Sequence, residues 1–179
     1  MIHRVIPWLA FLSIIVASCG FFTTNVEVIP GKLSVDLPGG LHLGSDADIK
    51  GRIGYRYKSN LPDERVYVDG TYNFYVIINV GAPGQAVTPS NQVTAMAQQI
   101  DSHNANFAGH KSKIVKQESR TIAGSQWAYM EVIFEDSEQG VLLFGVVDKR
   151  PVSIAYDAAV FAKDPGIQKS IAASIETIK

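Results

Sequence analysis

The sequence predicts an α+β fold: a mostly antiparallel β-sheet packed by a central and a C-terminal α-helix. Three observations predict it. Stretches with a period of two dominate residues 31–80 and 112–158. Two other stretches, after residues 88 and 164, repeat every three to four residues. The order is strands, helix, a strand meander, then a helix, as in folds that lay helices on an antiparallel sheet.

The first 18 residues stand apart from this domain. His3 and Arg4 make a short polar start, residues 5–16 are apolar except for interruptions at Pro7 and Ser13, and the small residues Ala17 and Ser18 follow. That is the pattern of a secretory signal. The apolar run falls short of the roughly 20 residues that a helix needs to cross ~30 Å of hydrocarbon. Next comes Cys19, the single cysteine of the chain. "VASC" resembles a bacterial lipobox: aliphatic, small, small, cysteine. The resemblance implies diacylation of the Cys19 thiol, cleavage after Ser18 and often a further acyl chain, such as palmitate, on the new amino group. One acyl chain anchors marginally, at about 0.8 kcal/mol per buried CH2, so stable anchoring takes two signals. An acylated Cys19 supplies them on one residue and makes the membrane a partner of the chain.

No cysteine remains for a disulfide or a zinc site. Gly20 stands where an Asp tends to mark inner-membrane retention in Gram-negative lipoproteins, which leans towards the outer membrane. Phe21 and Phe22 suit either the bilayer interface or packing on the domain. Residues 19–30 then read as the lipidated cysteine and a short tether, with one domain over residues 31–179. A tether this short keeps the domain close to the bilayer, at ~3.3–3.6 Å per residue. Cleavage removes Arg4 and no acid, leaving 15 basic and 17 acidic residues and a net charge of −2. Nucleic acid is excluded as a partner, because no basic stripe is present to release counterions.

The domain opens with "KLSVDLPGGL". Leu33, Val35 and Leu37 alternate with Ser34 and Asp36, a half-buried strand ended by Pro38-Gly39-Gly40. Residues 44–51 are polar; Asp46 and Asp48 fail the spacing of a calcium loop and read as a solvated turn. "RIGYRYKS" sets Ile53, Tyr55 and Tyr57 against Arg52, Arg56 and Lys58, a strand with one aromatic and one basic face. Asp69-Gly70 is a hairpin signal. Residues 72–80 are dense in β-branched and aromatic side chains, as in a central strand buried on both faces.

Thr88 or Ser90 then caps the central helix, with Pro89 in its first turn. Val93, Met96, Ala97, Ile100 and Phe107 form its apolar stripe, and Gly109 ends it. "SKIVKQESRTI", "WAYMEVIFE", "VLLFGVVD" and "VSIAYDA" form the meander, turned at "AGSQ", "DSEQG" and "KRP". Ala128, Met130, Val132 and Phe134 share one face; Trp127, Tyr129, Glu131 and Ile133 share the other. The last helix starts near Asp164-Pro165 and repeats Ile167, Ile171, Ile175 and Ile178.

"GKLSVDLPGGL" at the start, and "TIAGSQWAYMEVIF", "GVLLFGVV", "VSIAYDA" and "IQKSIAASIETIK" at the end, resemble the DcrB family of bacterial lipoproteins. They also resemble the wider PsbP-like fold, shared by photosystem II extrinsic proteins and a nuclear transport factor that binds Ran. The resemblance covers most of residues 31–179 and is carried mainly by hydrophobic spacing. Two departures are a shorter tether and a hairpin richer in tyrosine and arginine. The resemblance implies a membrane-anchored, non-enzymatic envelope protein concerned with phage adsorption, envelope integrity or lipoprotein maturation, and offers no catalytic residues to carry over.

The residues themselves offer little chemistry. Asp101 and His103 are two apart on a helix and point to different faces, and His110 lies past Gly109, so a metal site does not follow. "AGSQW" around Ser125 lacks the second glycine of a nucleophile elbow. "PGGLHLG" has no strand-to-helix context for phosphate. Glu135, Asp136 and Glu138 form an acidic hairpin tip without the burial that separates carboxylate pKa values. No catalytic, metal or cofactor set is read. The expectation is an envelope lipoprotein that faces the periplasm and binds envelope partners. The candidate surface is Tyr55, Arg56, Tyr57 and Tyr67, residue types common at interfaces; the competing reading puts these tyrosines at the core edge. Alternatives are a small-ligand carrier with an apolar pocket between sheet and helix, and an envelope hydrolase.

Overall fold

The computed structural model describes residues 23–45, 63–71, 73–106, 112–133, 139–158 and 164–179. Nine strands and two helices lie among them: β1 (Thr24–Ile29), β2 (Leu33–Leu37), β3 (His42–Leu43), β4 (Arg65–Val68), β5 (Phe74–Val80), α1 (Pro89–Asn106), β6 (Lys113–Ile122), β7 (Ser125–Ile133), β8 (Gln139–Val147), β9 (Arg150–Ala158) and α2 (Pro165–Glu176). β1 and β2 form a small antiparallel sheet. The other strands form a seven-stranded sheet in the order β3-β4-β5-β9-β8-β7-β6, with every neighbour antiparallel. The α+β reading holds.

The large sheet is covered on both faces, so its inner strands alternate between two cores rather than between core and water. On one face, Phe74, Val76, Ile78, Trp127, Tyr129, Val141, Leu143, Val152, Ile154 and Tyr156 meet the β1–β2 sheet and Ile171, Ile175 and Ile178. On the other, Ala128, Met130, Val132, Leu142 and Phe144 meet Val93 and Ile100 of α1. The two faces predicted for β7 are therefore both buried.

One boundary is corrected. Residues 23–30 do not form a tether, because Thr24–Ile29 is a strand paired with β2. The physical reason is legible in hindsight. Val26 and Val28 are buried, while Asn25 and Glu27 are exposed, which is the period-two pattern of a half-buried strand. Arg65 of β4 donates to the backbone carbonyls of Glu27 at 2.6 Å and Val28 at 2.7 Å, tying the small sheet to the large one. The fold thus takes in Thr24–Ile29 as well as the residues from 31 on.

The turns follow local chemistry. Ala123 and Gly124 join β6 to β7 with φ of 50° and 73°, and Asp148 and Lys149 join β8 to β9 with φ of 50° and 62°. Two left-handed residues in a row make the two-residue hairpins whose twist matches the strands. The second turn comes earlier than "KRP" suggested, and Arg150 and Pro151 are already in β9. Asp69 shapes the β4–β5 loop by accepting from Thr71 Oγ1 at 2.6 Å and Asn73 N at 3.1 Å. Thr88 caps α1, accepting from Asn91 N at 3.2 Å. Asp164 caps α2, accepting from the amides of Gly166 and Ile167, with Pro165 in the first turn.

Candidate interaction surface

Strands β6 and β7 build a surface of paired charges. Opposed residues of an antiparallel pair share a face. The register sets Lys116 against Glu131, Glu118 against Tyr129 and Arg120 against Trp127. At its inner end this face is core: Trp127 is fully buried among the apolar side chains of the α2 side. One strand outward, on the edge strand β6, the same face carries charge.

Arg120 lies flat over Tyr129, its guanidinium carbon 3.5 Å from the ring centroid, and Lys116 Nζ approaches the same ring at 5.4 Å. Between them Glu118 accepts from Arg120 Nε at 2.6 Å and pairs with Lys116 Nζ at 3.2 Å. The Arg120 hydrogen bond, helped by Lys116, holds the Glu118 carboxyl below the usual carboxylate range. Tyr129 donates its hydroxyl to Glu131 Oε1 at 2.5 Å. Burial, and then this bond to a carboxylate, push the Tyr129 phenol above its ordinary value. At neutral pH Glu118 is therefore ionised and Tyr129 neutral.

Beyond Arg120 the strip opens into a groove of about 450 Å³, between the β6–β7 turn and the C-terminal end of α2. Ile122, Ala123, Ile175 and Ile178 line it, with Arg120 and Glu176 also in its wall. These groups can stack, pair charge and cover apolar surface, which is the chemistry of recognition.

Two solved structures resemble the domain. One is the cyanobacterial PsbP protein CyanoP from Synechocystis sp. PCC 6803, at 12% identity, with 89% of this chain and 96% of that chain covered and a TM-score of 0.58. The other is the Ran-binding protein Mog1p from Saccharomyces cerevisiae, at 12% identity, with 88% and 94% covered and a TM-score of 0.50. The fold is PsbP-like. No protein-family model matches the chain, and no curated protein matches it in sequence.

On this PsbP-like frame the residues singled out from the sequence are scattered. Tyr67 is 8% exposed and packs in the larger core, as the competing core-edge reading of the tyrosines has it. Its strand β4 sits inside the sheet between β3 and β5, where both faces are covered. Tyr55, Arg56 and Tyr57 lie outside the described residues, as do Cys19, Asp46, Asp48, His110, Glu135, Asp136 and Glu138. Asp101 and His103 sit on α1, with Asp101 exposed. Ser125 opens β7, half-buried, directly after the two-residue turn. Among the described residues no cluster of histidine, cysteine or acidic side chains could hold a metal ion, and no helix is long and apolar enough to cross a membrane.

Sequence reasoning missed the β6–β7 strip. A signal was present: Lys116, Glu118 and Arg120 put three charges at period two in "KQESR", where an inner strand would carry apolar residues. What the sequence lacked was the partner strand that sets Tyr129 and Glu131 beside them.

Proposed function

We propose that this chain is a DcrB-like envelope lipoprotein, anchored through acylated Cys19 and facing the periplasm, that acts without catalysis by binding an envelope protein. The observation that carries the reading is the position of β1. Strand β1 starts at Thr24, so an anchor at Cys19 would hold the domain directly against the bilayer. The β6–β7 strip and its groove are the surface this reading assigns to the partner. That Mog1p, on a similar frame, is a Ran-binding protein supports a binding role, although a shared fold alone does not carry function. Envelope integrity, lipoprotein maturation and phage adsorption are the processes that the DcrB resemblance suggests, with the outer membrane as the favoured location.

The test has two readouts on one preparation. A photo-crosslinking residue replaces Lys116 in the full chain expressed in its native envelope, and the detergent-extracted protein is analysed by mass spectrometry. The expected result is an N-terminal peptide that begins at acylated Cys19 and one recurring envelope adduct, absent when the crosslinker sits at Lys32. An unmodified Cys19 removes the anchor. An acylated peptide with no recurring adduct removes the strip as the partner surface.

A further inference from the structure

A second groove, of about 260 Å³, runs between β2 and α2. Thr23, Asp36, Pro38, Lys169, Ala173 and Thr177 are in its wall, and the surface they leave open in the groove is mostly carbon. We propose that this groove and the end of the domain around it rest on the lipid surface, so that the domain is oriented at the membrane as well as tethered to it. The proposal rests on the acylation of Cys19 and goes beyond it, because acylation alone sets no orientation.

Chain length supplies the first reason. Thr23 lines the groove and is four residues from Cys19. Four steps at ~3.3–3.6 Å keep the two Cα atoms within about 14 Å. The wall that carries Thr23 is therefore the part of the domain nearest to the acyl chains. A tether of the length expected from sequence, up to residue 30, would have let any face turn to the bilayer.

Rigidity supplies the second. Thr23 leads straight into β1, and Thr24 pairs with Leu37. Ser174 donates to the carbonyl of Asp36 at 2.7 Å, and the amide of Asp36 donates to Thr177 Oγ1 at 2.8 Å. The start of β1 is thus fastened through β2 to both walls of the groove. Surface chemistry supplies the third. Ala173 and Lys169 are exposed. The carbon lining suits the outer edge of the hydrocarbon, and Lys169 at the rim suits an anionic headgroup.

The test uses the full-length lipidated protein reconstituted into vesicles of phosphatidylethanolamine and phosphatidylglycerol that contain a nitroxide-labelled lipid. Acylation occupies the only native thiol, so a cysteine introduced at an exposed site is the only group a thiol-reactive fluorophore can label. One variant is Ala173→Cys, in the groove. The other is Ala86→Cys, in the exposed loop that packs beside the β8–β9 turn, where Gly84 N donates to the Lys149 carbonyl. The expected result is co-flotation of both variants, with quenching by the nitroxide lipid several-fold stronger at position 173 than at 86. Co-flotation with equal quenching, or stronger quenching at 86, overturns the orientation and leaves the anchor standing. Loss of flotation together with fluorophore on Cys19 overturns the anchor and the orientation with it.

Discussion

The two helices hold the same sheet in different ways. Helix α1 is the longer, at 18 residues against 12, yet it buries only Val93 and Ile100 fully. Gln98, Gln99 and Asp101 on it are exposed. Among the described residues Asn104 fastens it to the start of β6, its amide exchanging two hydrogen bonds of 2.8 Å with the backbone of Ser112. Helix α2 is welded in. Ile171, Ile175 and the following Ile178 enter the core between the two sheets. Ser174 donates its only hydroxyl proton to Asp36 O, so Tyr156, 2.9 Å away, donates to Ser174. Beyond the helix, Lys179 exchanges backbone hydrogen bonds with Ser34 of β2. Length and propensity alone would rank α1 as the stronger element. Tertiary packing reverses the order, because most helical stability in proteins comes from a buried face.

The sharpest test of this contrast is truncation. Ile171→Ala should cost about 4 kcal/mol and Ile100→Ala about 2 kcal/mol, since the second site lies at the edge of a smaller cluster and can relax. Equal losses in urea unfolding would mean that the two sides are equally tight. Close behind comes Gly145→Ala. Gly145 faces Trp127 across the β7–β8 pair, and a methyl group there would sit 2.5 Å from the indole ring. With the indole sealed on the α2 side, the expected loss is about 3 kcal/mol. A loss under half of that would show slack in the face described as welded.

Polar fastenings give a smaller difference. Ser174→Ala strands the buried Tyr156 hydroxyl and should cost about 2 kcal/mol, whereas Asn104→Ala leaves groups that water can reach and should cost about 1 kcal/mol or less. Adding Tyr156→Phe to Ser174→Ala should recover part of the first loss; no recovery would mean that the hydroxyl finds another partner. The smallest effect is that of pH. Burial raises the Tyr156 phenol above its ordinary value. Its folded pKa thus lies above its unfolded value, so its contribution is complete below about pH 10 and is lost as pH rises beyond it. Stability measured across that range should fall with pH, and less steeply in Tyr156→Phe. An unchanged slope would assign the fall to other groups.

The candidate surface shows where sequence reading stops. Tyr67 and Tyr129 look alike in the sequence, each alternating in a β-branched run. Both are buried and both sit one strand in from an edge, Tyr67 beside β3 and Tyr129 beside β6, but Tyr129 carries Lys116 and Arg120 of that edge strand over its ring. Nothing within a few residues of either names the neighbour, since strand pairing is a property of the sheet. Strand β1 is a different case. Its Val26 and Val28 alternate with exposed Asn25 and Glu27, a period-two signal in a stretch too short to show that β2 covers it.

What the sequence determined by itself was local. Period-two and period-3.6 patterns placed β2, β5, both helices, Asp164 at the last cap and the antiparallel meander, because backbone geometry ties side-chain direction to position along a short segment. Tertiary structure decided which strands are edges and that β9 lies between β5 and β8. It also decided that Ser174 and Thr177 close the free edge of β2, some 140 residues away. The physical reason is that alternation tells a side chain which face it takes, and only the long-range pairing of strands decides what covers that face.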